Sequence, residues 1–98
     1  LAEEYAMPVI VSVPTLLRSY TQESKRVEVQ GTTVREVVDD LERRYPGIRS
    51  RLMDAQQLHR FVNLYLNDED IRFLDNLDTV VADRDELTIL PAVAGGAR

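Results

Sequence analysis

No cysteine occurs anywhere in the 98 residues. That absence excludes a disulfide framework, a thiolate metal site and a cysteine nucleophile. Tryptophan is missing as well, and the single histidine, His59, has no second histidine or thiol with which to complete a metal site. A solvated strand-edge residue is the expectation for it, rather than a ligand or a base. Basic side chains are in deficit, with 12 Lys and Arg against 17 Asp and Glu and a net charge of −5. Nonspecific attraction to nucleic acid phosphates or anionic lipid is therefore disfavoured, and a partner with a basic docking face suits the whole-chain charge better. The chain has no apolar run long enough to cross a bilayer, and its acidic opening Leu1-Ala2-Glu3-Glu4-Tyr5-Ala6 lacks the positive charge of a secretory signal. No Gly-x-Ser-x-Gly elbow and no phosphate-cradling glycine loop is present. The expectation is a cytoplasmic protein, monomeric on its own, with no bound cofactor or metal, no catalytic residues, and no affinity for nucleic acid or membrane.

What is present suits one domain around one modest core. Residues 1–6 match no packing pattern and read as a disordered leader or cloning remnant, 7–93 as the domain, and 94–98 as a flexible tail. Val9-Ile10-Val11-Ser12-Val13, β-branched and bracketed by Pro8 and Pro14, predicts a first strand. Leu16, Leu17 and Tyr20 are expected to cover an end of the core, and Arg26-Val27-Glu28-Val29 alternates like a second strand leading to Gly31. Beyond it, Thr33 and Glu36 have capping-box spacing. Val34, Val37, Val38, Leu41 and Tyr45 then fall on one face of a helix of about three turns. Asp39 and Arg43 sit at the spacing of a surface ion pair, and Pro46-Gly47 ends the helix. Ile48 to Met53 reads as a short irregular turn.

Phe61-Val62-Asn63-Leu64-Tyr65-Leu66 predicts the next strand, with aliphatic Val62, Leu64 and Leu66 turned toward the helix. Phe61 and Tyr65 are left on the far face, either beneath a loop or in a docking patch with Leu90 and Pro91. Asn67-Asp68-Glu69-Asp70 reads as a polar turn without the spacing of a calcium loop. Ile71-Arg72-Phe73 is expected as a short edge strand, Leu77 to Val81 as a brief apolar stretch, and Leu87-Thr88-Ile89-Leu90 as the last strand, stopped by Pro91 because proline has no N–H to donate. One helix cannot cover two faces of a sheet. The expected fold class is α+β, a mixed sheet of four to five strands packed on one main helix. Ala94, Gly95 and Gly96 carry too little side-chain surface to offset the entropy of ordering, so the end should be thin and free, a shape that a partner enzyme can draw into a narrow channel.

This order of elements, ending in Leu90-Pro91-Ala92-Val93-Ala94-Gly95-Gly96, resembles the ubiquitin-like β-grasp sulfur carriers, the MoaD/ThiS family. Val11-Ser12-Val13-Pro14-Thr15-Leu16-Leu17-Arg18, Leu58-His59-Arg60-Phe61-Val62-Asn63 and Asn67-Asp68-Glu69-Asp70 are similar to the CysO-type carriers of cysteine biosynthesis within that family. The resemblance covers nearly everything from Met7 to Gly96. It implies a β-grasp fold and a carrier whose Gly96 carboxylate is adenylated by an E1-like enzyme using ATP and converted to a thiocarboxylate. It further implies a pyridoxal-phosphate-dependent cysteine synthase homologue as sulfur acceptor and a zinc metalloprotease for trimming or release, so that the cofactors belong to the partners. Other routes on the same fold are the small subunit of molybdopterin synthase, thiamine or secondary-metabolite sulfur carriage, and ubiquitin-like protein modification. A plain interaction module is the reading from another class. Ala97 and Arg98 depart from the family pattern, since they lock Gly96 in a peptide bond. Either they are trimmed by a protease or they derive from cloning.

Overall fold

A computed structural model describes residues 8–91. The leader expected over residues 1–6 and the tail expected over 94–98 lie outside these. In chain order the elements are β1 (Val9–Ser12), β2 (Arg26–Val29), α1 (Val34–Arg44), α2 (Arg49–Leu52), β3 (Met53–Asp54), β4 (Gln57–Leu58), β5 (Val62–Leu66), β6 (Glu69–Asp70) and β7 (Glu86–Pro91). Five of the strands form one sheet in the order β2-β1-β7-β5-β6, while β3 and β4 make a separate hairpin. The last strand is the middle of the sheet. It runs parallel to β1, with Val11 opposite Leu87, and antiparallel to β5, with Leu64 opposite Ile89. This mixed sheet on one main helix is the β-grasp arrangement that the resemblance implies.

The period-two pattern explains which sheet face meets the helix. Val9, Val11, Val27, Val29, Val62, Leu64, Leu66, Leu87 and Ile89 all point inward and are buried. They share one core with Val34, Val37, Val38 and Leu41 of α1. Burying each such side chain contributes about 1.5–3 kcal/mol of transfer free energy. At the start of α1 the Thr33 hydroxyl accepts the Glu36 N–H at 3.2 Å, as the capping spacing predicts. The return bond goes one residue further back than a capping box requires, because the Glu36 carboxylate accepts the N–H and hydroxyl of Thr32 at 2.8 and 2.7 Å.

Several local expectations are corrected. The Asp39–Arg43 pair does not form. Asp40 is the less exposed acid and takes Arg43 and Arg44 together, while Asp39 faces Arg49 at 3.2 Å. Thr15–Thr21 coils into a 3-10 helix that packs Leu17 and Tyr20 against the core but leaves Leu16 72% exposed. Residues 48–53 are more ordered than an irregular turn, since Ile48 and Leu52 are fully buried on either end of the single turn α2. Ile71–Phe73 is a 3-10 turn, and the edge strand is Glu69–Asp70. The reason is local: Asn67 and Asp68 both adopt positive φ and close a tight hairpin, so pairing with β5 resumes at Glu69. Asp70 then accepts the Arg72 N–H at 2.9 Å and starts the next turn at once.

Candidate functional site

The face of the sheet opposite α1 carries Ile10 and Ser12 from β1, Asn63 and Tyr65 from β5, and Thr88 and Leu90 from β7. No helix covers this face among the described residues, because α1 lies on the other side. Tyr65 is half-buried opposite Thr88, and Leu90 stands opposite Asn63 with 44% of its surface exposed. Phe61 is 52% exposed just before β5, so it is not tucked beneath a loop. The Arg60 guanidinium lies 4.9 Å from the centre of its ring, and the centre of the His59 ring lies 5.6 Å from it. His59 itself is half-buried, with Nδ1 accepting the Phe61 N–H at 3.2 Å.

Pro91 does not stop the ladder at Leu90. β7 includes it, and it stands opposite Val62. The missing N–H costs nothing here because Val62 directs both of its backbone groups elsewhere. Its N–H donates to the His59 carbonyl at 3.0 Å, and its carbonyl accepts from Arg72 Nη2 at 2.8 Å. Arg72 also donates to the side-chain oxygen of Asn63, so one guanidinium braces the part of β5 that faces the last described residues of β7. Gly95 and Gly96 lie outside the described residues. Arg72 was not singled out in the sequence, and nothing in its spacing signals the role, since its partners are nine and ten positions away. Phe73, 81% exposed, was likewise not identified, because a strand assignment gave it no distinct role.

The carboxylates displaced from their ordinary range lie elsewhere. Glu36, Asp40 and Glu42 are all held low, and all three are on α1, where they accept backbone N–H groups of the adjoining turns. They are structural acceptors of backbone N–H groups around α1. Among the described residues no three of His, Cys, Asp and Glu come together as a metal site, and no helix is long and apolar enough to cross a membrane.

Similarity to known proteins agrees with this geometry. The sulfur carrier protein CysO of Mycobacterium tuberculosis is 55% identical over 93 residues, covering 92% of this chain and 100% of that protein. The molybdopterin synthase sulfur carrier subunit of the same organism is 38% identical over 73 residues, 74% of this chain and 75% of its own length. Among solved structures, a chain in the Amycolatopsis orientalis BexX/CysO complex superposes with a TM-score of 0.86 at 56% identity, covering 90% of this chain and 99% of that one. The ThiS family model matches residues 11–96, a span that takes in α1, every strand from Val11 onward and the Gly95-Gly96 pair, and the chain therefore belongs to the ThiS family.

Proposed function

We propose that the chain is a sulfur carrier for cysteine biosynthesis whose reactive group is the C-terminal carboxylate of Gly96 once Ala97 and Arg98 are removed. A free carboxylate is a poor acyl electrophile. An E1-like enzyme gives it a leaving group by attack of the carboxylate on the α-phosphorus of ATP, forming the acyl adenylate and releasing pyrophosphate. Hydrosulfide, released by the sulfur donor, then attacks the acyl carbon, expels AMP and leaves the thiocarboxylate. The thiocarboxylate sulfur would add to the β-carbon of an aminoacrylate supplied by a pyridoxal-phosphate enzyme, leaving the new cysteine joined to the Gly96 carbonyl, and a zinc metalloprotease would hydrolyse that bond to free the cysteine and restore the carboxylate. The partners hold ATP, pyridoxal phosphate and zinc, and the work takes place in the cytoplasm. The carrier is a co-substrate that is handed from enzyme to enzyme.

The observation that carries this reading is the 55% identity to CysO across that protein's whole length, with Gly95 and Gly96 inside the family match. The existence of a BexX/CysO complex adds that a carrier of this kind is bound by another protein. A second reading, the sulfur-carrying subunit of molybdopterin synthase, is favoured by the 38% identity to that subunit, which is lower and spans less of both chains. Intact-mass spectrometry tests the proposal. A version ending at Gly96, incubated with an E1-like enzyme, ATP and a sulfur donor, should gain the mass difference of one sulfur for one oxygen. An unchanged mass would remove Gly96 as the reactive group.

A further inference from the structure

Net charge over the whole chain favours a basic partner, but charge is not evenly spread. Beside the edge of β5 lies an open cavity of about 450 Å3 lined by three guanidiniums, Arg35, Arg60 and Arg72, against one carboxylate, Asp78. Arg35 is matched to Asp78 at 3.3 Å. Arg60 and Arg72 have no carboxylate partner among the described residues. Arg72 is held by neutral oxygens only, those of Asn63, Val62 and, at 3.5 Å, His59. Arg60 is exposed and fixed over the Phe61 ring, so its charge is positioned without being neutralised. Gln57 and Asn76 add side-chain amides to the same wall.

The place of this cavity gives it meaning. Val62, whose carbonyl Arg72 holds, stands directly opposite Pro91, and neighbouring strands are about 4.8 Å apart. Any protein that grips the residues after Pro91 therefore has the basic wall within its footprint. We propose that this wall receives an acidic segment, aspartate or glutamate side chains, of the enzyme that takes up the tail. The inference rests on the carrier reading above and gives the adenylating partner an acidic rim where the overall charge of this chain would call for a basic one. The exposed Arg60 guanidinium presents a forked donor suited to carboxylates, while Arg72, whose terminal nitrogens already donate to Asn63, Val62 and His59, adds a positive charge that no carboxylate among the described residues neutralises. Such charges mainly set the rate and register of docking.

The test uses the chain ending at Gly96 and an E1-like enzyme that adenylates it, followed by ATP–pyrophosphate exchange. Arg60→Glu should raise the KM for the carrier about tenfold with kcat little changed, and Arg60→Gln should raise it less. Added salt should weaken the parent more than Arg60→Glu. Lys25→Glu makes the same change in net charge at the start of β2, on the opposite edge of the sheet. It should leave KM alone. Melting temperatures of all three variants should lie close to the parent's, because Arg60 and Lys25 are both exposed and neither belongs to the core. An unchanged or lowered KM for Arg60→Glu would overturn the acidic-partner inference, as would an equal rise for Lys25→Glu, which would mean long-range steering by net charge. A parent chain that no such enzyme adenylates would instead overturn the carrier reading itself.

Discussion

The Asp40 carboxylate accepts the backbone N–H of Gln30 at 2.8 Å and so ties the middle of α1 to the chain leaving β2. Partial burial acts to raise its pKa, but the Gln30 N–H and the guanidiniums of Arg44 and Arg43 outweigh it and hold the group below the ordinary 3.8. Glu36, through the Thr32 hydroxyl and N–H, and Glu42, through the N–H groups of Gly47 and Arg49, lie below their ordinary 4.5. A carboxyl group with a lowered pKa in the folded state adds stability that is complete above the unfolded value and is lost as pH falls through the folded one. Denaturant midpoints should thus be flat from about pH 7 to pH 5 and fall below about pH 4. Asp40→Asn should be less stable than the parent at neutral pH, and the gap should narrow in acid. A gap that stays constant with pH would assign the loss to shape rather than charge.

Two substitutions near the same helix test its packing. Leu41 is buried at the centre of the apolar face, and Leu41→Ala should cost about 2–5 kcal/mol in urea denaturation. Gly31 stands where a Cβ would lie 2.8 Å from the backbone nitrogen of Val37 and 3.0 Å from the Glu36 carbonyl carbon. Backbone cannot yield as a side-chain tip can. Gly31→Ala is expected to destabilise by about 1–3 kcal/mol, the range for overpacking, although no side chain is lost. Parent-like stability in either variant would mean that the turn or helix can shift.

The outer sheet face separates folding from docking. Leu90 is substantially exposed and supports little of the core, so Leu90→Ser should unfold at nearly the parent's denaturant concentration while adenylation slows. Tyr65 is half-buried, and Tyr65→Ala should lower both, with docking reduced more than stability. If adenylation of Leu90→Ser proceeds at the parent's rate, the docking surface lies elsewhere.

At the tail, the full chain should resist adenylation because Gly96 is there an amide, while the version ending at Gly96 should react. Gly96→Ala in that version adds a Cβ at the atom nearest the reaction and should lower sulfur transfer steeply, with no change in the melting temperature. Direct activation of the full chain, or full transfer by Gly96→Ala, would speak for an interaction module in place of a carrier.

Sequence alone determined the elements whose signal is periodic and local. The i, i+3, i+4 apolar spacing from Val34 to Leu41 and the alternation from Val62 to Leu66 specify a helix and a strand with assigned faces, because burying one face stabilises only one period. The Thr33 cap was legible for the same reason, since donor and acceptor are three residues apart. Tertiary structure decided what depends on partners remote in sequence. Only the ladder shows that β7 is central and parallel to β1, and that Pro91 can remain in it because Val62 binds His59 and Arg72 instead. Asp39–Arg43 and Asp40–Arg44 have the same i,i+4 spacing in the sequence, and only the folded chain shows that Asp40 takes the arginines and also accepts the Gln30 N–H while Asp39 faces Arg49. Composition likewise reports the sum of charges, whereas the basic wall of Arg35, Arg60 and Arg72 exists because three chain segments meet at one edge of β5.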